Sequence, residues 1–191
     1  GDDMITEGML DMFIFETEQG LENLENICLE SKDIGEFDED NVNEIFRIMH
    51  TINGSSAVMM FHNVATLAHK LEDVFYFIRE SHPDDVPHDE LVDDVLEVSD
   101  FITEELEKIK DGADPDEDPA ALIEKLDKFL KKIQNKSDKD AEQVIAEKQE
   151  KAKESEKPHF YIAPVASDDS KFYNIYITYY KETEMANIRA Y

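Results

Sequence analysis

Apolar residues recur every three to four positions in five stretches of the chain, the spacing of amphipathic α-helices. The first stretch predicts a helix over residues 4–30, with Leu10, Phe13, Thr17, Leu21, Leu24 and Cys28 on one stripe. Gly35 sits in the break that follows. The second covers residues 40–60 on Val42, Ile45, Met49, Ile52, Ser56 and Met59. The third starts near Asn63, read as its cap, and uses Val64, Leu67, Leu71, Val74 and Ile78 until turn residues 81–87 stop it. The fourth covers residues 88–110 on Leu91, Val95, Ile102, Leu106 and Ile109. Gly112, Pro115 and Pro119 break the chain again, and the fifth covers residues 119–133 on Leu122, Leu126, Phe129 and Ile133. Short breaks between long amphipathic helices imply an all-α, five-helix up-down bundle over residues 1–133.

Beyond residue 133 the pattern changes twice. Residues 134–157 are rich in Lys, Glu, Ala and Gln and carry only Val144 and Ile145 as large apolar residues. With no stripe to bury, this segment is a charged linker, either a solvated helix or disordered. Residues 159–165 and 172–180 are rich in Tyr, Phe and Ile and read as two strands around a loop at 167–170. Two strands do not hold a domain together, so residues 158–191 read as the truncated start of an α+β domain. Their unpaired edges favour packing on a bundle face or pairing with a second copy, a dimer through the tail.

Charge narrows the function classes. The 191 residues carry a formal net charge of −28. Residues 1–133 hold 36 acidic and 10 basic side chains, a net of −26. Phosphate contacts need Lys and Arg, so binding to nucleic acid or direct contact with an anionic membrane is not expected. No run of 18 apolar residues is long enough to span a membrane. The N-terminus lacks a basic-then-apolar signal, and Gly1 in place of Met points to a trimmed start. The single cysteine, Cys28, has no internal partner and fits a reducing cytoplasm.

The candidate chemistry lies on the second and third helices. With Ile45 at zero on a helical wheel, Val42, Ile48, Met49, Ile52, Ser56 and Met59 fall within about 60°, the core face. His50 falls at about 140°, outside that arc, near Phe46, Asn53, Gly54, Ala57 and Phe61. Glycine inside a helix costs about 1 kcal/mol against alanine, and Gly54 beside His50 suits a partner that must approach closely. In an antiparallel hairpin turning at Phe61, His50 is level with Glu72 and Asn53 with His69. A carboxylate level with the imidazole can accept from Nδ1–H, which leaves the Nε2 lone pair free as a nucleophile.

Residues 46–71 read FRIMHTINGSSAVMMFHNVATLAHKL, followed by Glu72-Asp73-Val74. This run resembles the histidine phosphotransfer domain at the N-terminus of CheA-type chemotaxis histidine kinases. The family pattern is a His in F-R-x-x-H-[ST], a Gly four residues on, and H-x-x-E on the next helix. His50, Thr51, Gly54, His69 and Glu72 fit it. The resemblance covers roughly residues 4–133. It implies a five-helix bundle and a phosphorylated His50, with the phosphoryl group donated by a separate ATP-binding domain of the same kinase. A response regulator aspartate then takes it. ATP and Mg would enter through that separate domain, with no cofactor in this fragment. The fragment would be a carrier and substrate, and the full-length protein the histidine protein kinase. Residues 173–180 and 185–191 also resemble the first strand and helix start of the family's response-regulator-binding domain. Where the family usually has Lys three residues after the His, this chain has Asn53.

The remaining residues invite plainer readings. His69 reads as a positioning or packing residue, and His62, His82, His88 and His159 as solvated. Cys28 reads as an inert core thiol, and Met49 and Met59 as core filler. Two other function classes stand beside the phosphoryl carrier. One is a metal-carboxylate bundle, which needs Glu-x-x-His on two helices; the only such spacing, Glu156 to His159, is broken by Pro158. The other is an interaction bundle without chemistry. No G-x-x-x-x-G-K-[ST] loop for nucleotide phosphates occurs in the chain.

Overall fold

The computed structural model describes residues 2–155. Five helices follow in order: α1 (Asp2–Ile34), α2 (Glu39–Val58), α3 (His62–Ser81), α4 (His88–Lys110) and α5 (Ala120–Ser155). No strand occurs among the described residues. The expected strands and helix start at 158–191 lie outside them.

Cross-helix contacts fix the topology. His50 meets Glu72 and Asn53 meets His69 between α2 and α3. Glu25 meets Ser99 and Glu18 meets Lys110 between α1 and α4. Glu97 meets Lys125 and Glu90 meets Lys132 between α4 and α5. In each pair residue numbers rise on one helix as they fall on the other, the antiparallel packing of an up-down bundle. The expected stripes are the faces that turn inward: Leu24 and Cys28 of α1, Ile45, Met49 and Ile52 of α2, Leu67, Leu71 and Val74 of α3, Val95 and Ile102 of α4, and Leu126, Phe129 and Ile133 of α5 are buried. Each such side chain taken from water contributes about 1.5–3 kcal/mol. Gly20 lets α1 approach α2, since a Cβ there would lie 3.2 Å from Ile48 Cγ2.

A smaller apolar cluster closes one end. Phe13, Leu106 and Ile109 pack there with Leu10, Ile14, Met59 and Phe61. The Phe13 and Phe61 rings lie 5.3 Å apart. Phe61 is the turn between α2 and α3, so this cluster pins the register of the hairpin. Met60, at φ 62°, makes the reversal in the left-handed region. The backbone N–H of Phe61 donates to Ser56 O at 2.9 Å.

Several local expectations are corrected. Asp38, not Asp40, starts α2: its Oδ1 accepts from Asn41 N–H at 2.7 Å. Asn63 does not cap α3, which begins at His62 after Phe61. Its Nδ2 instead donates to Glu105 Oε2 and to Glu117 O, both at 3.0 Å, tying the α4–α5 loop to α3. Glu105 is itself buried and paired with Lys108 at 2.8 Å. Met59 is half-buried, because it sits where α2 ends. His88 is not simply solvated: its Nε2–H donates to the buried Ser31 Oγ at 3.1 Å, and its ring stands edge-on to Phe37.

Residues 1–146 form one compact unit and residues 147–191 a second, of which the described part is the end of α5. The segment from 134 to 155 therefore takes the helical form of its two expected forms. Lys, Glu, Ala and Gln are strong helix formers, and the exposure of Val144 and Ile145 fits a helix with no buried face. No helix among the described residues is long and apolar enough to cross a membrane.

Candidate functional site

The hairpin of α2 and α3 builds a polar cluster on its outer face. His50 Nδ1 lies 2.7 Å from Glu72 Oε1. A carboxylate accepts, so Nδ1 is the donor, and in the neutral imidazole Nε2 then keeps its lone pair. The His50 side chain is 69% exposed and that of Glu72 only 12% exposed. The carboxylate is thus held in the wall while the imidazole stands in solvent.

Both oxygens of Glu72 are engaged. Asn53 Nδ2 donates to Oε2 at 3.2 Å, which stops the carboxylate from rotating. The same amide lies 3.3 Å from His69 Nδ1, which accepts from it. His69 Nε2 lies 3.7 Å from Asp73 Oδ2, so His69 bridges the cluster to the next acid on α3. Of the residues singled out in the sequence, His50, Asn53, His69 and Glu72 come together as one connected group. Gly54 lies one turn along on the same exposed face, where an added Cβ would meet nothing within 4 Å. No packing inside the domain accounts for a glycine there.

Sequence reasoning placed Phe46 beside His50 but missed the Tyr76 and Arg79 layer that packs on it. The rings of Phe46 and His50 stack, with centroids 5.9 Å apart and planes 13° from parallel. Arg79 lays its guanidinium over Phe46 at 4.1 Å from the ring centre, and Tyr76 packs on Phe46 at 6.2 Å. The signal was available in helical phase: Phe46 is four residues before His50, and Tyr76 and Arg79 are four and seven after Glu72.

The other candidates lie elsewhere. His62 and His82 are exposed, and His159 lies outside the described residues. Cys28 is fully buried and burial pushes its thiol up to about 11, so it stays protonated and unreactive at neutral pH. Among the described residues no group of three or more His, Cys, Asp or Glu is arranged to hold a metal ion. Glu156 and His159 lie outside them.

Comparison with known proteins follows the same residues. The model of the Hpt domain family matches residues 8–147. Chemotaxis protein CheA of Halobacterium salinarum is 32% identical over 125 residues, covering 65% of this chain and 18% of that protein. Chemotaxis protein CheA of Bacillus subtilis is 36% identical over 119 residues, covering 62% of this chain and 17% of that protein. The chain thus spans less than a fifth of the length of these relatives. Among solved structures, the phosphorylated P1 domain of CheA3 in complex with CheY6 from R. sphaeroides is similar, with a TM-score of 0.56 and 25% identity. That likeness covers 66% of this chain and 98% of that one.

Proposed function

The chain belongs to the Hpt domain family, and on that premise we propose that it is the phosphoryl-carrier domain of a CheA-type chemotaxis histidine kinase, with His50 as phosphoacceptor. The observation that carries this reading is the 2.7 Å hydrogen bond from His50 Nδ1–H to a nearly buried Glu72. The Nε2 lone pair attacks the terminal phosphorus of ATP held by the kinase's own ATP-binding domain. An N–P bond forms, the P–O bond to ADP breaks, and ADP leaves with the electron pair. Positive charge grows on the imidazole during attack, and Glu72 stabilises it where it grows. In the second transfer, a response regulator aspartate attacks phosphorus, the N–P bond breaks, and its electrons return to Nε2. Gly54 leaves room for both partners at the histidine. ATP and Mg belong to the kinase domain, and the whole reaction belongs to the cytoplasm.

The same reading extends to the rest of the chain. Residues 134–157 link the carrier to a response-regulator-binding domain, of which residues 158–191 are the start. If the tail also pairs two copies, deleting residues 158–191 abolishes the dimer in sedimentation; a dimer that survives removes the tail from assembly.

Incubation with a CheA-type catalytic core and ATP, followed by mapping of the modified residue, tests the function. Acid-labile, base-stable phosphate on His50, absent from His50→Gln, is the expected result. The variant keeps a melting temperature near wild type, since surface changes usually cost within about 0.5 kcal/mol. Phosphate persisting on His50→Gln, at His69 for example, overturns the assignment. A chain that accepts no phosphate is an interaction bundle without chemistry.

A further inference from the structure

We infer that Phe46, braced by Arg79 and Tyr76, is a positioning residue that fixes the plane of the His50 ring; the inference rests on the phosphoryl-carrier reading of His50. The hydrogen bond to Glu72 holds one ring nitrogen at 2.7 Å but leaves the imidazole free to pivot about that contact. The Nε2 lone pair lies in the plane of the ring, so the plane sets the line along which the nitrogen can attack. Phe46 removes the pivot: its ring lies 13° from parallel to the imidazole, at a stacking distance of 5.9 Å. Stacked aromatic pairs of this offset kind are attractive beyond their buried area.

Phe46 can do this because it is itself held. It sits on the same turn-to-turn row of α2 as His50, so the backbone fixes their separation. Its ring is half-buried against the core. The Arg79 guanidinium lies 4.1 Å from the ring centre and 5.5 Å from that of Tyr76. Arg79 also donates from Nε to Glu80 Oε1 at 3.1 Å, which restrains the guanidinium. Glu72, Tyr76 and Arg79 lie on one row of α3. That helix therefore supplies both constraints on His50: the carboxylate that holds Nδ1 and the brace behind the stacking ring. Attack geometry tolerates only about 10–20° of error, so a ring freed to pivot reacts more slowly without losing its partners.

The test uses the full chain and two phosphoryl donors. One is a CheA-type catalytic core with ATP. The other is phosphoramidate, which makes no protein interface: Nε2 attacks its phosphorus, its P–N bond breaks, and ammonia leaves after taking a proton from water. Phe46→Leu lowers the rate about fivefold with both donors, the loss of one stacking contact. Phe46→Tyr restores the rate. Arg79→Gln, on the surface, leaves the fold intact and lowers both rates about twofold. The ¹³C relaxation of the His50 Cε1–H bond shows a lower order parameter in Phe46→Leu and Arg79→Gln than in wild type or Phe46→Tyr. A loss with the catalytic core alone makes Phe46 a docking residue and overturns the inference. An unchanged order parameter overturns it as well, because a merely structural Phe46 leaves the ring as ordered as before. If wild type takes phosphate from neither donor, the carrier reading fails, and the relaxation measurement on unphosphorylated protein still decides whether Phe46 positions the ring.

Discussion

Replacing Glu72 by glutamine keeps the shape of the side chain and removes its charge. In wild type, Glu72 accepts from His50 Nδ1–H at 2.7 Å and from Asn53 Nδ2 at 3.2 Å. Glutamine has one accepting oxygen and one NH₂ group for these two donors. With the oxygen toward His50, the NH₂ group faces the Asn53 amide, donor against donor, unless Asn53 also turns over. With the NH₂ group toward His50, Nδ1 must accept, the proton moves to Nε2, and the nucleophilic lone pair is lost. The electrostatic part adds to this. A unit charge pair at about 4 Å is worth about 1 kcal/mol in water and about 4 kcal/mol at an effective dielectric of 20. The site lies between those limits, since Glu72 is 12% exposed and His50 69% exposed. A loss of about 1.4–2.7 kcal/mol at the transition state corresponds to phosphorylation slower by about 10–100-fold. Initial rates of His50 phosphorylation at saturating catalytic core measure it. Long-range ¹H–¹⁵N spectra of the imidazole report the tautomer, which shifts from Nδ1–H toward a mixture. The melting temperature stays near wild type, as the carboxylate contributes little to the core. An unchanged rate with an unchanged tautomer refutes the role of Glu72.

Three further outcomes follow from the same geometry. Gly54→Ala stabilises the isolated domain by about 1 kcal/mol, visible in denaturant melts, because nothing lies within 4 Å of the new methyl; it slows transfer from the kinase and to the regulator, and unchanged rates would show that no partner needs the glycine. Asn53→Lys speeds phosphorylation about fivefold at low salt and less at high salt, as a charge-assisted contact replaces a neutral one near the incoming oxygens; initial rates at two salt concentrations check it, and a rate at or below wild type at low salt shows that the missing charge is not limiting. Burial, opposed by the Lys125 ammonium 3.3 Å from Oδ1, raises the carboxyl of Asp94 above its ordinary 3.8. The folded state therefore binds that proton more tightly, and Asp94 costs stability progressively as pH rises from 3.8 through the folded value. Asp94→Asn gains on wild type across that window in denaturant unfolding; parallel curves would contradict the shift.

What was legible in the sequence was what depends on helical phase. The stripes from Leu21 to Cys28 and from Val64 to Val74 needed only a period and a break. The pairing of His50 with Glu72 needed one further datum, the turn at Phe61, and the Phe13–Phe61 contact is the reason that datum held. The partners of Asn63 and His88 were not legible, because they lie far along the chain. Asn63 lies one residue inside α3 and its Nδ2 is held by Glu105, 42 residues away, and His88 is held by Ser31, 57 residues away. The brace on Phe46 was hidden for a different reason: Arg79 reads as an ordinary charge at the end of a helix until its neighbour's ring is placed beneath it.

Between Arg47 and Lys70 the chain has no charged residue, in a protein that is 35% charged and carries −28 overall. That interval spans the exposed face of α2 from His50 through Gly54 to Val58 and Met60, the turn, and the start of α3. Exposed apolar side chains at Val58 and Met60 continue the surface. A phosphoryl group carries negative charge, and a uniformly acidic surface would repel it at every approach. Along the chain, the carboxylates that flank this neutral stretch are Glu44 on one side and Glu72 and Asp73 on the other. Glu72 is turned inward and engaged on both oxygens, while Asp73 faces His69. At a Debye length of about 8 Å, charges on the far helices are largely screened at the histidine, so the groups beside it, Glu72 first among them, decide the potential there. In a small bundle that carries −28 overall, the stretch from His50 to His69 is thus the part left without Asp, Glu, Lys or Arg.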